Sequence, residues 1–280
     1  MLPLEDTFSD ILGKAQKGLQ LSTDVLAREA GVAAVDYERV RKGDFDEGIV
    51  RKVAPLLKLQ ADRLVTLARG EWHPQVAHPA GLARATTNFD GGTVNAYVVW
   101  DPSSKEAALF DTGMDAGPLL QIVRDQGLQP KYLFITHTHT DHIAELPGLT
   151  KAAGVSAFVH KNGDIGGVKT FEWGETFQVG ALKIETRQTT GHAADGTTYV
   201  VTGLEVPVAI VGDALFAGSM GGGMVSYAEA LQTNRQNLFS LPDQTVVAPG
   251  HGPLTTIGKE KHRNPFFPEF QVPPSEGKGI

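Results

Sequence analysis

Along residues 8 to 70 the apolar positions recur at helical spacing, as at Leu56, Leu57, Leu64, Val65 and Leu67 among charged neighbours, and turn residues are sparse apart from Gly31 and Gly43. The pattern predicts four or five short helices. Ser22 or Thr23 is placed to cap a helix running to Ala30, with Gly31 at its C-terminal end and a second helix from about Ala33 to Arg41. Between residues 70 and 85 the period breaks at Trp72, Pro74 and Pro79. A linker is therefore expected at 76–84, between a helical domain (1–75) and a second domain (85–268). Short apolar runs set off by glycine then predict strands at 94–100, 107–110, 132–135, 157–160, 182–185, 198–201, 206–211 and 245–248. Helix-like segments at about 115–126, 143–153 and 226–239 separate some of them. Mixed strands with helices outside imply a layered α/β domain. No internal repeat is evident, and residues 269–280 read as a loose tail.

Of the 280 residues, 41% are hydrophobic and 20% charged, which suits a globular chain with a full core. The formal net charge of -7 argues against a surface built to neutralise phosphates, so nucleic acid is a disfavoured partner. The absence of cysteine excludes disulfides, thiolate nucleophiles and Cys-ligated zinc, and leaves His and carboxylate as the available metal ligands. The start, MLPLEDTFSD, lacks the basic and apolar stretches of a signal peptide, and no apolar run approaches the ~20 residues of a membrane span. The expectation is a cytoplasmic protein.

The run LSTDVLAREAGV, with Leu26, Ala27, Ala30, Gly31 and Val32, resembles the helix-turn-helix of phage-repressor-type transcription factors over roughly 60 residues. Charge speaks against DNA binding there, because acidic and basic residues balance over residues 1–70 and Asp36 and Glu38 sit on the would-be recognition helix. Arg39, Arg41 and Lys42 would reach a phosphate backbone or form a solvated charged face. A role in dimerisation or in covering the second domain is expected instead.

Three of the nine histidines fall within six residues: His137, Thr138, His139, Thr140, Asp141, His142. The segment follows the apolar YLFI and precedes a helical stretch, so it belongs on the loop leaving the carboxyl end of a strand, where α/β active sites gather. On an extended backbone His137 and His139 point the same way, while Asp141 and His142 can turn to a second point. One loop thus serves two neighbouring metal positions. Downstream, His192, Asp213 and His251 each follow a glycine, and glycine lets the backbone bring a ligand in closely.

The H-x-H-x-D-H motif followed by His192, Asp213 and His251 resembles the metallo-β-lactamase superfamily over roughly residues 85 to 266. Within it, GDALFAGS (212–219) and LPDQTVVAPGHGPLTTIGKEKHRNPF (241–266) are similar to the glyoxalase II-like hydroxyacylglutathione hydrolases. The fold implied is the αββα sandwich, here preceded by a small all-α domain. By the same resemblance His137, His139 and His192 hold one metal, Asp141, His142 and His251 hold a second, and Asp213 bridges them. Asp141 and Asp213 are thereby the catalytic carboxylates. Imidazole with carboxylate suits Zn(II), with Fe(II) or Mn(II) as other occupants. Two divalent ions outweigh two aspartates and a bridging hydroxide by one positive charge, which favours an oxyanion.

The mechanism expected is attack of a metal-bridging hydroxide, formed near neutral pH, on a thioester carbonyl. A thiol of pKa ~8.5 leaves as thiolate without a strong acid, so a thioester suits the site. Asp111, in FDTGM, matches the superfamily's Asp-x-Gly turn and is expected to orient a metal ligand from behind, a role compatible with a turn and helix cap. Lys169 loosely matches a glutathione-contacting lysine, or is a surface lysine, and His160 reads as structural.

Departures from the family bear on substrate. Only 27 residues follow Pro253, where glyoxalase II carries a long helical region contacting glutathione, and MGGGMVSY follows Ser219 where relatives carry an arginine-containing glycine turn. That glycine run reads as a mobile flap or a permissive turn. The added N-terminal helices are a candidate for the missing wall of the pocket. The expected activity is hydrolysis of a small-molecule thioester. The alternatives are a lactonase, a mononuclear-iron persulfide dioxygenase using His137, His192 and Asp213, and a DNA-binding regulator with a metal-domain sensor. A homodimer through the helices is a further expectation.

Overall fold

In a computed structural model that describes residues 2–270, five helices come first: α1 (Phe8–Gly18), α2 (Thr23–Ala30), α3 (Ala34–Arg41), α4 (Glu47–Val53) and α5 (Ala61–Ala68). Their ends follow local chemistry. Thr7 and Asp10 form a reciprocal capping box on α1. Ser22 caps α2 by accepting from the Val25 N–H, and Gly31 ends that helix with a φ of 63°, a left-handed conformation that suits glycine.

Two six-stranded sheets follow. The first runs in sequence order through β1 (Leu82–Phe89), β2 (Gly92–Trp100), β3 (Glu106–Phe110), β4 (Gln129–Phe134), β5 (Ser156–His160) and β6 (Lys169–Phe171). The second contains β7 (Thr176–Val179), β8 (Leu182–Gln188), β9 (Thr197–Thr202), β10 (Val208–Gly212), β11 (Val246–Pro249) and β12 (Thr255–Thr256), paired in that order from one edge to the other. Helices α6 (Gly117–Asp125), α7 (Thr140–Ile143), α8 (Leu146–Ala153), α9 (Tyr227–Thr233) and α10 (Ile257–Arg263) complete the α/β fold. Among the described residues no helix is long and apolar enough to cross a membrane.

Alternation within the central strands feeds two cores at once. Tyr97 and Val99 of β2, Phe110 of β3 and Phe134 of β4 face a core shared with Ile184, Tyr199, Val201 and Ile210 of the second sheet. Ala96, Val98, Leu109 and Leu133 face the opposite way, onto Leu119 of α6 and Leu149 of α8. Covered on both faces, these strands read as unbroken apolar runs. On the second sheet, the outward residues Val200, Ala209, Val211 and Val247 belong to one cluster with Leu12 of α1, Leu26 of α2, Tyr37 of α3, Val53 of α4, Leu64 of α5 and Ala230 of α9. The N-terminal helices are thus part of the outer layer of that sheet. Polar ties reinforce the contact: the Gln60 N–H donates to the Pro265 carbonyl at 3.0 Å and Lys14 Nζ to the Met220 carbonyl at 2.9 Å.

Several expected elements shift. Strand begins at Leu82, within the expected linker; the edge strands β1, β6 and β7 escaped the apolar pattern because their exposed positions are polar, and β12 because it is two threonines. The expected helix at 226–239 is α9 followed by a π-helical turn at Asn234–Leu238. Of the expected tail, Glu269 and Phe270 lie in a 3-10 turn and the remainder lies outside the described residues.

Glu260 of α10 is fully buried and ties the loop after β10 to β12 and to the end of α10. It accepts from the Gly218 N–H (2.9 Å) and Asn264 Nδ2 (2.9 Å) and shares a hydrogen bond with the Thr255 hydroxyl (2.7 Å). Burial pushes its carboxyl up to about 7, with these hydrogen bonds opposing the shift. The folded protein therefore holds this proton more tightly than the unfolded chain, so stability from this group is full below about pH 4.5 and falls as pH rises to about 7, by about 3 kcal/mol. Glu260→Gln keeps the two acceptor contacts and a donor for Thr255. Relative to wild type, the variant should gain stability in urea unfolding as pH is raised from 5 to 8; a difference independent of pH would contradict this assignment.

Candidate metal centre

The chain places its metal-binding residue types where strands of both sheets end. Asp111 follows β3, His137 and His139 follow β4, Asp141 and His142 lie in α7, His192 sits in the loop after β8, and Asp213 and His251 follow β10 and β11. The structure brings all seven expected ligands together. The ligand atoms of His137, His139, His192 and Asp213 lie within 4.8 Å of one another, as do those of Asp141, His142 and His251. His137 Nε2 and His192 Nε2 approach His139 Nδ1 at 3.0 and 3.1 Å. Asp213 lies between the groups, with Oδ2 3.4 Å from His192 Nε2 and 3.4 Å from His251 Nε2, and Oδ1 3.4 Å from His142 Nε2. Asp141 Oδ2 is 3.2 Å from His251 Nε2.

Hydrogen bonds behind these rings aim their lone pairs inward. His192 Nδ1 donates to the Gly222 carbonyl (2.9 Å) and His251 Nδ1 to the Thr93 carbonyl (2.7 Å). Asp111 Oδ2 accepts from His142 Nδ1 and from the Thr136 hydroxyl, both at 2.8 Å, and Thr136 Oγ1 in turn faces His137 Nδ1 at 3.1 Å. One carboxylate thus orients two ligands, one directly and one through Thr136. Asp111 does this with a φ of 58°, a left-handed conformation that aspartate tolerates better than most residues.

The donor set passes a further test of fit to metal. His142 Nε2 and Asp213 Oδ1 are buried without a hydrogen-bond partner, a costly state for polar atoms that a cation between them would relieve. Burial works against a charged His142, yet Asp111 and Asp213 lift its pKa to about 10. For His251, burial is likewise overcome by the carboxylates of Asp141 and Asp213 and by Glu5, and its pKa rises to about 11. Burial also opposes ionisation of Asp213, but His142 and His251 hold its carboxyl well below the usual range. In the metal-free protein, imidazolium charge offsets the buried aspartates, and divalent ions would displace those protons.

Glycines set the close approaches. A Cβ at Gly250 would sit 2.3 Å from Asp213 Oδ1, and one at Gly221 would sit 2.0 Å from the Asp213 carbonyl. Gly221 and Gly223 are thus closely packed, whereas a Cβ at Gly222 would meet nothing within 4 Å, and the Gly222 carbonyl positions His192. The pocket above the ligands holds about 460 Å³, and Glu5, Asp6 and Lys14 of the N-terminal region line it together with Phe216 and Met224. Lys169 is not brought there. Its strand, β6, lies at the far edge of the first sheet, and its ammonium sits over the Phe158 ring, 5.4 Å from the centroid. His160 stacks on Trp173 away from the ligands, at 3.5 Å between centroids.

Thr136 and Asn95 escaped notice in the sequence. Asn95 donates from Nδ2 to the Pro249 and Gly252 carbonyls, which fixes the turn carrying His251. A lone asparagine within VNAYVVW was the available signal.

The Metallo-beta-lactamase superfamily profile matches residues 89–251. The chain belongs to this superfamily. It is 27% identical over 207 residues to the probable metallo-hydrolase YqgX of Bacillus subtilis (65% of this chain, 96% of the relative). It is 28% identical over 198 residues to the hydroxyacylglutathione hydrolase GloC of Haemophilus influenzae (62% and 92%). It is 26% identical over 190 residues to the human mitochondrial persulfide dioxygenase ETHE1 (60% and 69%). Among solved structures, the BLEG-1 B3 metallo-beta-lactamase superposes with a TM-score of 0.59 and 26% identity, over 66% of this chain and 99% of that one. The profile match starts after α1–α5, and the helix-turn-helix resemblance gains no support from these matches.

Asp111→Asn retains a residue suited to the left-handed backbone but sets an amide donor against Thr136 or His142. Zinc affinity, measured by competition with a chromogenic chelator, should fall roughly 10- to 100-fold. Unchanged affinity would show that Asp111 orients neither ligand.

Proposed function

We propose that the chain hydrolyses thioesters at a pair of divalent metal ions, zinc being the metal that the nitrogen and oxygen donors suit best and iron or manganese the alternatives. The observation that carries this reading is the Asp213 carboxylate, within 3.4 Å of imidazole nitrogens from both ligand groups and open to the pocket. Bound ions would supply activation of water near neutral pH and a Lewis acid for the carbonyl oxygen. The chain's own residues do the rest. Asp111, Thr136 and the Thr93 and Gly222 carbonyls hold four imidazoles in their ligating orientation. Phe216, Met224 and the N-terminal segment wall the pocket, and Lys14 adds a cation held between Asp6 and the Met220 carbonyl. A thiol of pKa ~8.5 departs as thiolate, so these walls need to supply no strong acid.

The similarity to a hydroxyacylglutathione hydrolase supports a thioester, and the similarity to a persulfide dioxygenase keeps open a one-iron site at His137, His192 and Asp213. The second group, Asp141, His142 and His251, is complete and buried, which favours two ions. Against DNA binding, Arg39 of α3 pairs with Asp36 and Asp44.

Protein stripped of metal and reconstituted with zinc, manganese or iron should hydrolyse S-lactoylglutathione, and Asp213→Ala should lose at least 100-fold in kcat/KM. No turnover with any metal, together with oxygen uptake on glutathione persulfide, would replace the hydrolase by a dioxygenase. Turnover confined to acyl-homoserine lactones would make it a lactonase.

A further inference from the structure

A second cavity of about 460 Å³ adjoins the metal pocket, between α1, the end of α3 and the glycine turn. The two share Asp6, Lys14, Gly222 and Met224 as walls and so form one continuous cleft with the ligand cluster at one end. Its far wall carries Lys17 and Arg41.

Charge in this cleft is unevenly satisfied. Asp6 is taken up by Lys14 and by the Ser219 hydroxyl, and Asp10 accepts from the Thr7 N–H and hydroxyl. Arg41 is held only by neutral acceptors, the Ser9 carbonyl and Gln16 Oε1 at 3.1 Å. Lys17 is exposed and has no ion-pair partner among the described residues. Among the described residues Lys17, Arg41 and Asp10 thus all lack ion-pair partners, and the charged side chains lining this cavity, Asp6, Asp10, Lys14, Lys17 and Arg41, leave an excess of one positive charge in a chain whose net charge is -7.

The seat of Arg41 is built into the helix. Gly13 lies mid-way along α1, where glycine costs about 1 kcal/mol relative to alanine. A Cβ there would stand 2.5 Å from Arg41 Nη2. At the seam between the cavities Met224 is 67% exposed, which leaves an apolar lip beside the reacting end.

We infer that Lys17 and Arg41 form a substrate subsite that takes the anionic end of the thiol carrier, a carboxylate or a phosphate, while the acyl end lies over the metal ligands. The inference rests on the thioester reading for the identity of the carrier. The subsite is made by helices outside the superfamily match at 89–251, so it belongs to the N-terminal addition. Its cations present charge-assisted hydrogen bonds to an anion that a neutral carrier cannot form.

The test is calorimetric binding of three hexyl thioethers to the zinc-loaded full chain: S-hexylglutathione, S-hexyl-coenzyme A and S-hexyl-N-acetylcysteamine. Wild type should bind one anionic thioether roughly tenfold more tightly than the neutral one. Which anion is preferred tells a carboxylate from a phosphate. Lys17→Ala and Arg41→Gln should each reduce that ratio, and Lys17→Ala, at an exposed position, keeps the test open if Arg41→Gln fails to fold. A ratio of one in wild type, or a ratio unmoved by both variants, would overturn the subsite. Because the ligands are not cleaved, a ratio that depends on Lys17 would stand even if thioester hydrolysis failed. Equal KM for S-lactoylglutathione in wild type and Lys17→Ala, with an unmoved ratio, would remove the subsite and leave the hydrolase.

Discussion

Three buried carboxylates, Asp111, Asp141 and Asp213, lie among five imidazoles, and this concentration of ionisable groups dominates the architecture around it. Negative charge so removed from water persists only with cations beside it. Asp111 and Asp213 raise the pKa of His142, and Asp141 and Asp213 that of His251, so these imidazoles favour positive charge beside the carboxylates. The orphaned His142 Nε2 and Asp213 Oδ1 mark where that arrangement leaves polar atoms unpaired. Everything behind the ligands, from Asp111 and Thr136 to the carbonyls of Thr93 and Gly222, keeps the rings from turning away.

The sandwich exists in a form that serves this cluster. Ligands come from the ends of strands in both sheets, so the cluster holds its shape only while the sheets keep their register across the core of Tyr97, Phe110, Phe134 and Tyr199. The outer layer of the second sheet contributes as well. Helices α1–α5 bury one continuous apolar cluster with that sheet and with α9, and in doing so bring Glu5, Asp6 and Lys14 to the rim of the pocket. Stability and the shape of the pocket are thus supplied by the same helical packing.

Much of the candidate site was legible in the sequence because its signals were dense: three histidines and an aspartate in six residues, then three more candidate ligands each beside a glycine that close packing explains. Asp111 was legible from its turn. Thr136 was not, since a threonine at the end of a strand looks ordinary until its hydroxyl is seen between a carboxylate and a ring. Lys169 was left between a glutathione contact and a surface lysine because a short polar edge strand carries too little pattern to fix its place. The docking of the helices was hidden for another reason. Runs such as VAIVG announce a strand covered on both faces, but alternation does not say which segment covers it.

Anomalous diffraction at the zinc edge, from crystals of the zinc-loaded protein, decides whether the proposed two-ion centre forms at Asp213. Two peaks roughly 3.5–4 Å apart, both in contact with the Asp213 carboxylate, are expected. A single peak among His137, His139 and His192 at saturating zinc, with Asp141 and His251 unliganded, would contradict it.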